Sequence, residues 1–229
     1  MRMKAPEIGT LLDLLRKGYG RRQLEPNHDP LAELVQTILS QNTSDLNSRP
    51  AFKALKAEFP NWEDLLTVDI DMMAGPISRG GLGRIKAQRI QQSLQEIQRR
   101  RGKLDLNFLD KMPVAEARDW LKKLPGVGDK TANCVLLFAL GKPALPVDTH
   151  IFRVAKRLGL LREQAALEEA HQTLEKMVPP ADIYEFHVLM IEHGRSACAA
   201  QRPCCPQCSL QMICPSYEIF AGHSAGKSG

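Results

Sequence analysis

No uninterrupted apolar run in the 229 residues approaches the ~20 that a bilayer span needs. The first ten residues, MRMKAPEIGT, contain no apolar core of signal-peptide length. These two absences set aside a membrane span and a secretory leader, and the expected location is cytoplasmic. Alternating period-2 runs of strand length are also missing, as are heptads and tandem repeats, so a sheet, a coiled coil and a repeat array are not expected. Cysteine is scarce outside one stretch: five of the six lie between Cys198 and Cys214, and Cys134 stands alone. A disulfide scaffold would spread its cysteines through a shorter chain, whereas clustering points to a metal. Neither sign of charge dominates. With 31 Lys and Arg against 26 Asp and Glu, the net charge of +5 favours a polyanionic partner without singling one out.

What is present reads as an all-α chain, long enough for one large domain or two small ones. Asp29-Pro30 gives an N-cap followed by proline at the first helical position. Leu31, Leu34, Val35, Ile38 and Leu39 then recur at the spacing of one buried helix face. Asn61 is placed to cap a short helix. Ile85, Ile90, Leu94 and Ile97 form a looser apolar stripe in GRIKAQRIQQSLQEIQRRR. Helices are expected at about 114–123, from about Asp129 to Leu140 with Gly141 as terminator, at about 163–177 and at about 183–195. Another begins at Asp148, with Ile151, Val154, Ala155 and Leu158 facing inward. The last residues, AGHSAGKSG, read as a disordered tail.

Three features carry chemistry. In LPGVGDKTAN (124–133), Gly126-Val127-Gly128 joins two helices and directs backbone N–H groups toward the amino end of the second. Glycine permits positive φ and close approach of a phosphate, and the helix dipole adds partial positive charge. The same residues also suit a plain tight turn between packed helices. Lys130 follows in the first helical turn, where the dipole disfavours a cation and so favours the nucleophilic free amine, with Asp129 softening the effect. Its other reading is a surface lysine touching phosphate. Asp148 is placed both to cap its helix and to serve as acid/base or electrostatic partner to a nucleophile. Finally, Cys198, Cys205, Cys208 and Cys214 are spaced C-x6-C-x2-C-x5-C. Zinc sites usually come as two close pairs, and only Cys205 and Cys208 are so paired. The spacing favours a metal, and iron–sulfur over zinc.

Taken together, LPGVGDKTAN, VDTHIFRV (147–154), HGRSAC (193–198) and the cysteine spacing resemble the endonuclease III branch of the iron–sulfur helix-hairpin-helix DNA glycosylases. The likeness runs from about Leu31 to Cys214. It implies two helical lobes flanking a DNA cleft: a helix barrel with the hairpin over 30–143, and a second lobe formed by 1–29 and 144–216 with the C-terminal [4Fe–4S] loop, followed by a disordered tail at 217–229. It makes Lys130 the catalytic nucleophile, Asp148 the catalytic aspartate, and the four cysteines the ligands of a [4Fe–4S] cluster. It further implies that a monomer binds double-stranded DNA at a damaged base or abasic site, through Gln41, Asn42, Leu82, Gly126, Val127 and Gly128. Asn42 and Leu82 fall on wedges that fill the gap left by a flipped nucleotide. Asn42 stands where the branch commonly has glutamine, which leaves the partner-base preference open. Gln36 falls where the adenine-excising branch has a catalytic glutamate, which argues against adenine excision. Arg202 is the one cation in the cluster loop between Cys198 and Cys205, so phosphate contact there is expected to be weak. The activity implied is removal of oxidised pyrimidines with strand cleavage through a lysine Schiff base. Excision of uracil or thymine from mismatches, and damage binding without catalysis, are the alternatives.

Overall fold

The computed structural model describes residues 4–43, 45–78 and 82–221, and among them every regular element is helical. The chain divides into two compact units, Glu25–Ala144 and Met1–Leu24 with Leu145–Gly229.

In the first unit, α2 (Pro30–Ser40) starts at Asp29, whose carboxylate accepts the N–H of Ala32 at 2.9 Å. Its expected face, from Leu31 to Leu39, is buried. Around it pack α3 (Asp45–Glu58), α4 (Ile70–Ile77), α5 (Gly83–Arg101), α6 (Val114–Lys122) and α7 (Asp129–Cys134), enclosing one apolar core. α7 continues through Val135–Ala139 as a wider π turn, a change of helical period that periodicity alone does not reveal. Carbonyls of that turn are then taken by an incoming segment, with Asn27 N–H on Phe138 and His28 N–H on Ala139. Gly141, at φ +64°, ends the run as expected.

The second unit contains α1 (Ile8–Tyr19), α8 (Thr149–Arg157), α9 (Leu167–Met177), α10 (Ile183–Ser196) and α11 (Tyr217–Ala221). Arg16 on α1 holds α10 through Glu185 at 2.6 Å and through the preceding Asp182 at 3.1 Å. Ile151, Val154, Ala155 and Leu158 are buried, as their spacing requires.

Several boundaries differ from the sequence expectation. α9 begins at Leu167 rather than near Glu163, because a turn closes ahead of it with Ala165 N–H on the Arg162 carbonyl. Asn61 precedes a short 3-10 turn, Trp62–Leu66, but its side chain makes no capping bond. Residues 217–221, expected as the start of a tail, form α11, and Phe220 stacks under the Arg157 guanidinium. The rest of that tail, 222–229, lies outside the described residues. On α5 the buried stripe is offset by one position: Ile85 is 44% exposed and Lys86 only 2%. The core face starts at Lys86 and Ala87 and continues through Ile90, Leu94 and Ile97.

Candidate active site

In the first unit, the hairpin sits between α6 and α7. Gly126 has φ +75°, the left-handed region that favours glycine, and Gly128 is extended at φ −99°, ψ −176°. The N–H groups of Gly126 and Gly128 have no acceptor among the described residues, whereas Val127 N–H is bonded to the Leu124 carbonyl at 3.2 Å. The Val127 side chain is 6% exposed and belongs to the core, so of the three expected hairpin contacts only the two glycines offer unengaged donors.

Lys130 lies in the first turn of α7, half-buried. Within this unit its ammonium has no hydrogen-bonded or ion-paired partner among the described residues. Asp129, the neighbour expected to soften the dipole, is instead engaged by Lys122 at 2.7 Å. The charge that does reach Lys130 comes from Glu33 on α2, a residue that sequence reasoning passed over. Burial pushes the Glu33 carboxyl above its ordinary range, against hydrogen bonds from Asn27 and Thr37 and the field of Lys130.

Gln41, expected to face DNA, has its amide engaged inside the unit. Its Nε2 donates to the Gly126 carbonyl at 3.0 Å and to Thr131 Oγ1 at 3.2 Å, and its Oε1 accepts from Arg89 at 2.8 Å. Asn42 is exposed at φ +52°, and Leu82 is 54% exposed at φ +53°. A bulky apolar residue held in the left-handed region and turned outward is an outlier that invites a functional reading.

The second unit holds the other expected residues. Asp148 caps α8, accepting the Ile151 N–H on Oδ1 at 2.8 Å. The extended segment leading to it is fixed on three sides: Glu175 accepts Leu145 N–H at 2.8 Å, His171 Nδ1 contacts Val147 N at 3.3 Å, and His187 Nδ1 donates to the Pro146 carbonyl at 2.8 Å. Cys198, Cys205, Cys208 and Cys214 line one cavity, flanked by Arg157 and His193. Burial pushes the thiols of Cys205, Cys208 and Cys214 upward, Cys208 to about 11, and the charges of the other cysteines push the same way. Such a set becomes thiolate at neutral pH only against a compensating positive charge. N–H donors already reach the sulfurs, among them Arg157 Nη1 on Cys198 at 3.2 Å, Leu210 N on Cys208 at 3.3 Å and the Ser216 backbone on Cys214. No cluster of three or more His, Cys, Asp or Glu among the described residues forms a group that could hold a metal ion. Cys204 is exposed, and Cys134 is buried in the first unit.

An all-helical fold with a glycine hairpin ahead of a helix-borne lysine defines a helix-hairpin-helix protein. The family described as HhH-GPD superfamily base excision DNA repair protein matches residues 35–180, and the chain belongs to it. Endonuclease III of Bacillus subtilis (strain 168) is 36% identical over 209 residues, 91% of each chain. A relative from Arabidopsis thaliana is 35% identical over 186 residues, and this chain spans 61% of its length. Among solved structures, a trapped endonuclease III–DNA covalent intermediate superposes with a TM-score of 0.79 at 34% identity, covering 93% of this chain and 96% of that one. A non-covalent endonuclease III–DNA complex gives 0.80 at 33% identity, covering 94% and 97%.

Proposed function

We propose that the protein is a bifunctional DNA glycosylase and abasic-site lyase of base-excision repair, acting on oxidised pyrimidines in duplex DNA. The observation that carries this reading is Lys130, a half-buried amine in the first helical turn after the hairpin, with no hydrogen bond or ion pair in its own unit among the described residues. A purely structural lysine would be expected to hold a partner; a nucleophile has to be left available. The relation to a solved covalent endonuclease III–DNA complex supports the same role.

In the reaction, DNA is gripped through its backbone by the N–H groups of Gly126 and Gly128, and the damaged nucleotide is extruded, most easily where it is poorly paired. Lys130 Nζ, as free amine, attacks the sugar C1′ and the base departs. Asp148 keeps Oδ1 on its helix cap, and its carboxylate charge stabilises the electron-poor sugar and assists proton transfer. Opening of the sugar yields an imine with Lys130, and loss of the C2′ proton expels the 3′ phosphate by β-elimination.

The residues fit a [4Fe–4S] cluster held by Cys198, Cys205, Cys208 and Cys214. The four thiols line one cavity, so a single bound group can reach all of them, and their C-x6-C-x2-C-x5-C spacing, with only one close pair, favours a polynuclear group over zinc. When bound, the cluster supplies positive charge and cross-links the loop. The excision chemistry rests on Lys130 and Asp148.

Duplexes bearing thymine glycol, uracil opposite guanine, or an abasic site, incubated with and without borohydride, test this reading. A covalent complex best trapped on thymine glycol supports it. Base release without trapping on any duplex would move the assignment to a monofunctional mismatch glycosylase.

The hairpin makes a separate prediction. A Cβ on Gly128 meets nothing within 4 Å, and the backbone there suits any residue, so Gly128→Ala should melt like the wild type. If a phosphate approaches that backbone, the same variant should bind duplex DNA measurably more weakly. Unchanged affinity would return the hairpin to a plain turn. Gly126→Ala should differ by losing stability, about 1–2 kcal/mol from the left-handed backbone, and the added Cβ would in addition lie 3.0 Å from Arg89 Cδ.

A further inference from the structure

One face of α5 reaches the Leu82 tip, the loop after α2 and the hairpin in the first unit. Leu82 begins it, and its carbonyl accepts the Lys86 N–H at 3.0 Å. One turn on, Lys86 Nζ is buried and donates to the Leu39 carbonyl at 2.8 Å and to Thr43 Oγ1 at 2.6 Å. Those partners bracket Gln41 and Asn42. At the next turn Arg89 holds the Gln41 amide, which in turn holds the Gly126 carbonyl and Thr131. Another turn on, Ser93 Oγ donates to the Pro125 carbonyl at 2.9 Å. Positions 82, 86, 89 and 93 are one stripe at helical spacing.

A lysine amine is costly to bury, and burial does lower this one from its ordinary range. An apolar residue at 86 would satisfy the core with less penalty. What the amine adds is a fixed closure of the loop after α2, at the end of a helix whose last carbonyls lack intrahelical donors. Of the three exposed non-glycine residues with positive φ described in this unit, His28, Asn42 and Leu82, the last two are tied directly to the stripe or held within the bracket it forms.

We propose that Lys86 and Arg89 are positioning residues for nucleotide extrusion. They hold the Asn42 loop, the Leu82 tip and the Gly126 hairpin in one register, so that the duplex is wedged open at a fixed distance from its phosphate grip. Neither residue touches the reacting atoms. The inference rests on the glycosylase–lyase reading for what the surface does, and its consequence is specific. Loss of register penalises substrates that must be extruded and spares those already unpaired, by the same logic that makes a misplacement of about 1 Å cost on the order of 100-fold.

The test uses the full chain with two readouts. The first is the fluorescence rise of 2-aminopurine placed beside an abasic site in a duplex, which reports unstacking without requiring chemistry. The second is borohydride trapping on a single-stranded abasic oligonucleotide, which requires no extrusion. Lys86→Met and Arg89→Met are expected to lose most of the fluorescence rise and to slow duplex trapping on the order of 10- to 100-fold. Single-strand trapping should stay within a few-fold of wild type. Arg89→Lys, which keeps a donor toward Gln41, should recover part of the duplex signal. If Lys86→Met does not fold, the two Arg89 variants decide alone. Retention of both signals, or their loss in equal measure, overturns the proposal. A wild type that gives the fluorescence rise but traps on neither substrate defeats the lyase reading and still leaves the extrusion signal to judge Lys86 and Arg89. A wild type that gives no rise overturns this inference.

Discussion

Lys130→Gln is expected to abolish the borohydride-trapped complex and to lower strand cleavage on the order of 1000-fold or more, as loss of a covalent nucleophile does elsewhere. Glutamine keeps a polar, hydrogen-bonding tip on a side chain one atom shorter, but its amide cannot form an imine. Because Lys130 makes no hydrogen bond within its unit among the described residues, the change should leave stability within about 0.5 kcal/mol of wild type. Duplex affinity should also survive, since the backbone donors of Gly126 and Gly128 are untouched. At most one phosphate–cation contact is lost, which would lower the salt slope of binding by about 1. A Lys130→Gln protein that still traps would place the reacting amine elsewhere. One that binds and cleaves like the wild type would leave Lys130 as a bystander. Glu33 adds a check on the same amine: Glu33→Gln removes the carboxylate charge that reaches Lys130, so a change in the pH dependence of trapping without a change in binding would tie the two groups together.

Local rules made much of the fold legible. Asp29 and Asp148 cap their helices because a carboxylate beside the first turn satisfies an orphan N–H, whatever surrounds it. The faces of α2 and α8 follow from spacing alone. Features set by tertiary placement were not legible in this way. Lys86 looks like a solvated cation on a basic helix; only the packing of α2 against α5 makes it a buried donor and turns Ile85 outward. Gln41 reads as a free polar side chain until Arg89 and the Gly126 carbonyl, 48 and 85 positions away in the chain, take up its amide. The signal that could have found Lys86 was present: Ala87, Ile90, Leu94 and Ile97 set the phase of the buried stripe, and position 86 falls on it while position 85 does not. For Glu33 there was no such signal, since an acidic residue in the first turn of a helix is ordinary dipole complementation.

The cysteine loop offers the second large effect. Between Ala197 and Ser216 the chain has only two short 3-10 turns, Cys205–Gln207 and Gln211–Ile213, and its buried apolar support is confined to Pro203 and Leu210. Backbone hydrogen bonds within the loop run mostly between near neighbours, as from Cys208 to Cys205 and from Gln211 to Cys208, with one longer bond from Cys204 to Ala197. A segment with so little core needs a cross-link, and a metal group bound by the folded state alone supplies one. Cys208→Ser is therefore expected to remove most of the bound iron and the visible charge-transfer band. The melting temperature should fall by about 10 °C, the shift that roughly 3–5 kcal/mol produces in a chain of this size. Protease cleavage should appear first between 198 and 216. Cys204→Ser is the matched control. Cys204 is adjacent in sequence to a proposed ligand yet exposed and absent from the cavity lining, so its loss should leave iron content, spectrum and melting unchanged. Four ligands drawn from Cys198, Cys205, Cys208 and Cys214 require that asymmetry. If Cys204→Ser removed the iron and Cys208→Ser did not, the ligand set would be wrong. If the wild type carried stoichiometric zinc and no colour, the four thiols would have to close on a single ion and the iron–sulfur reading would fall.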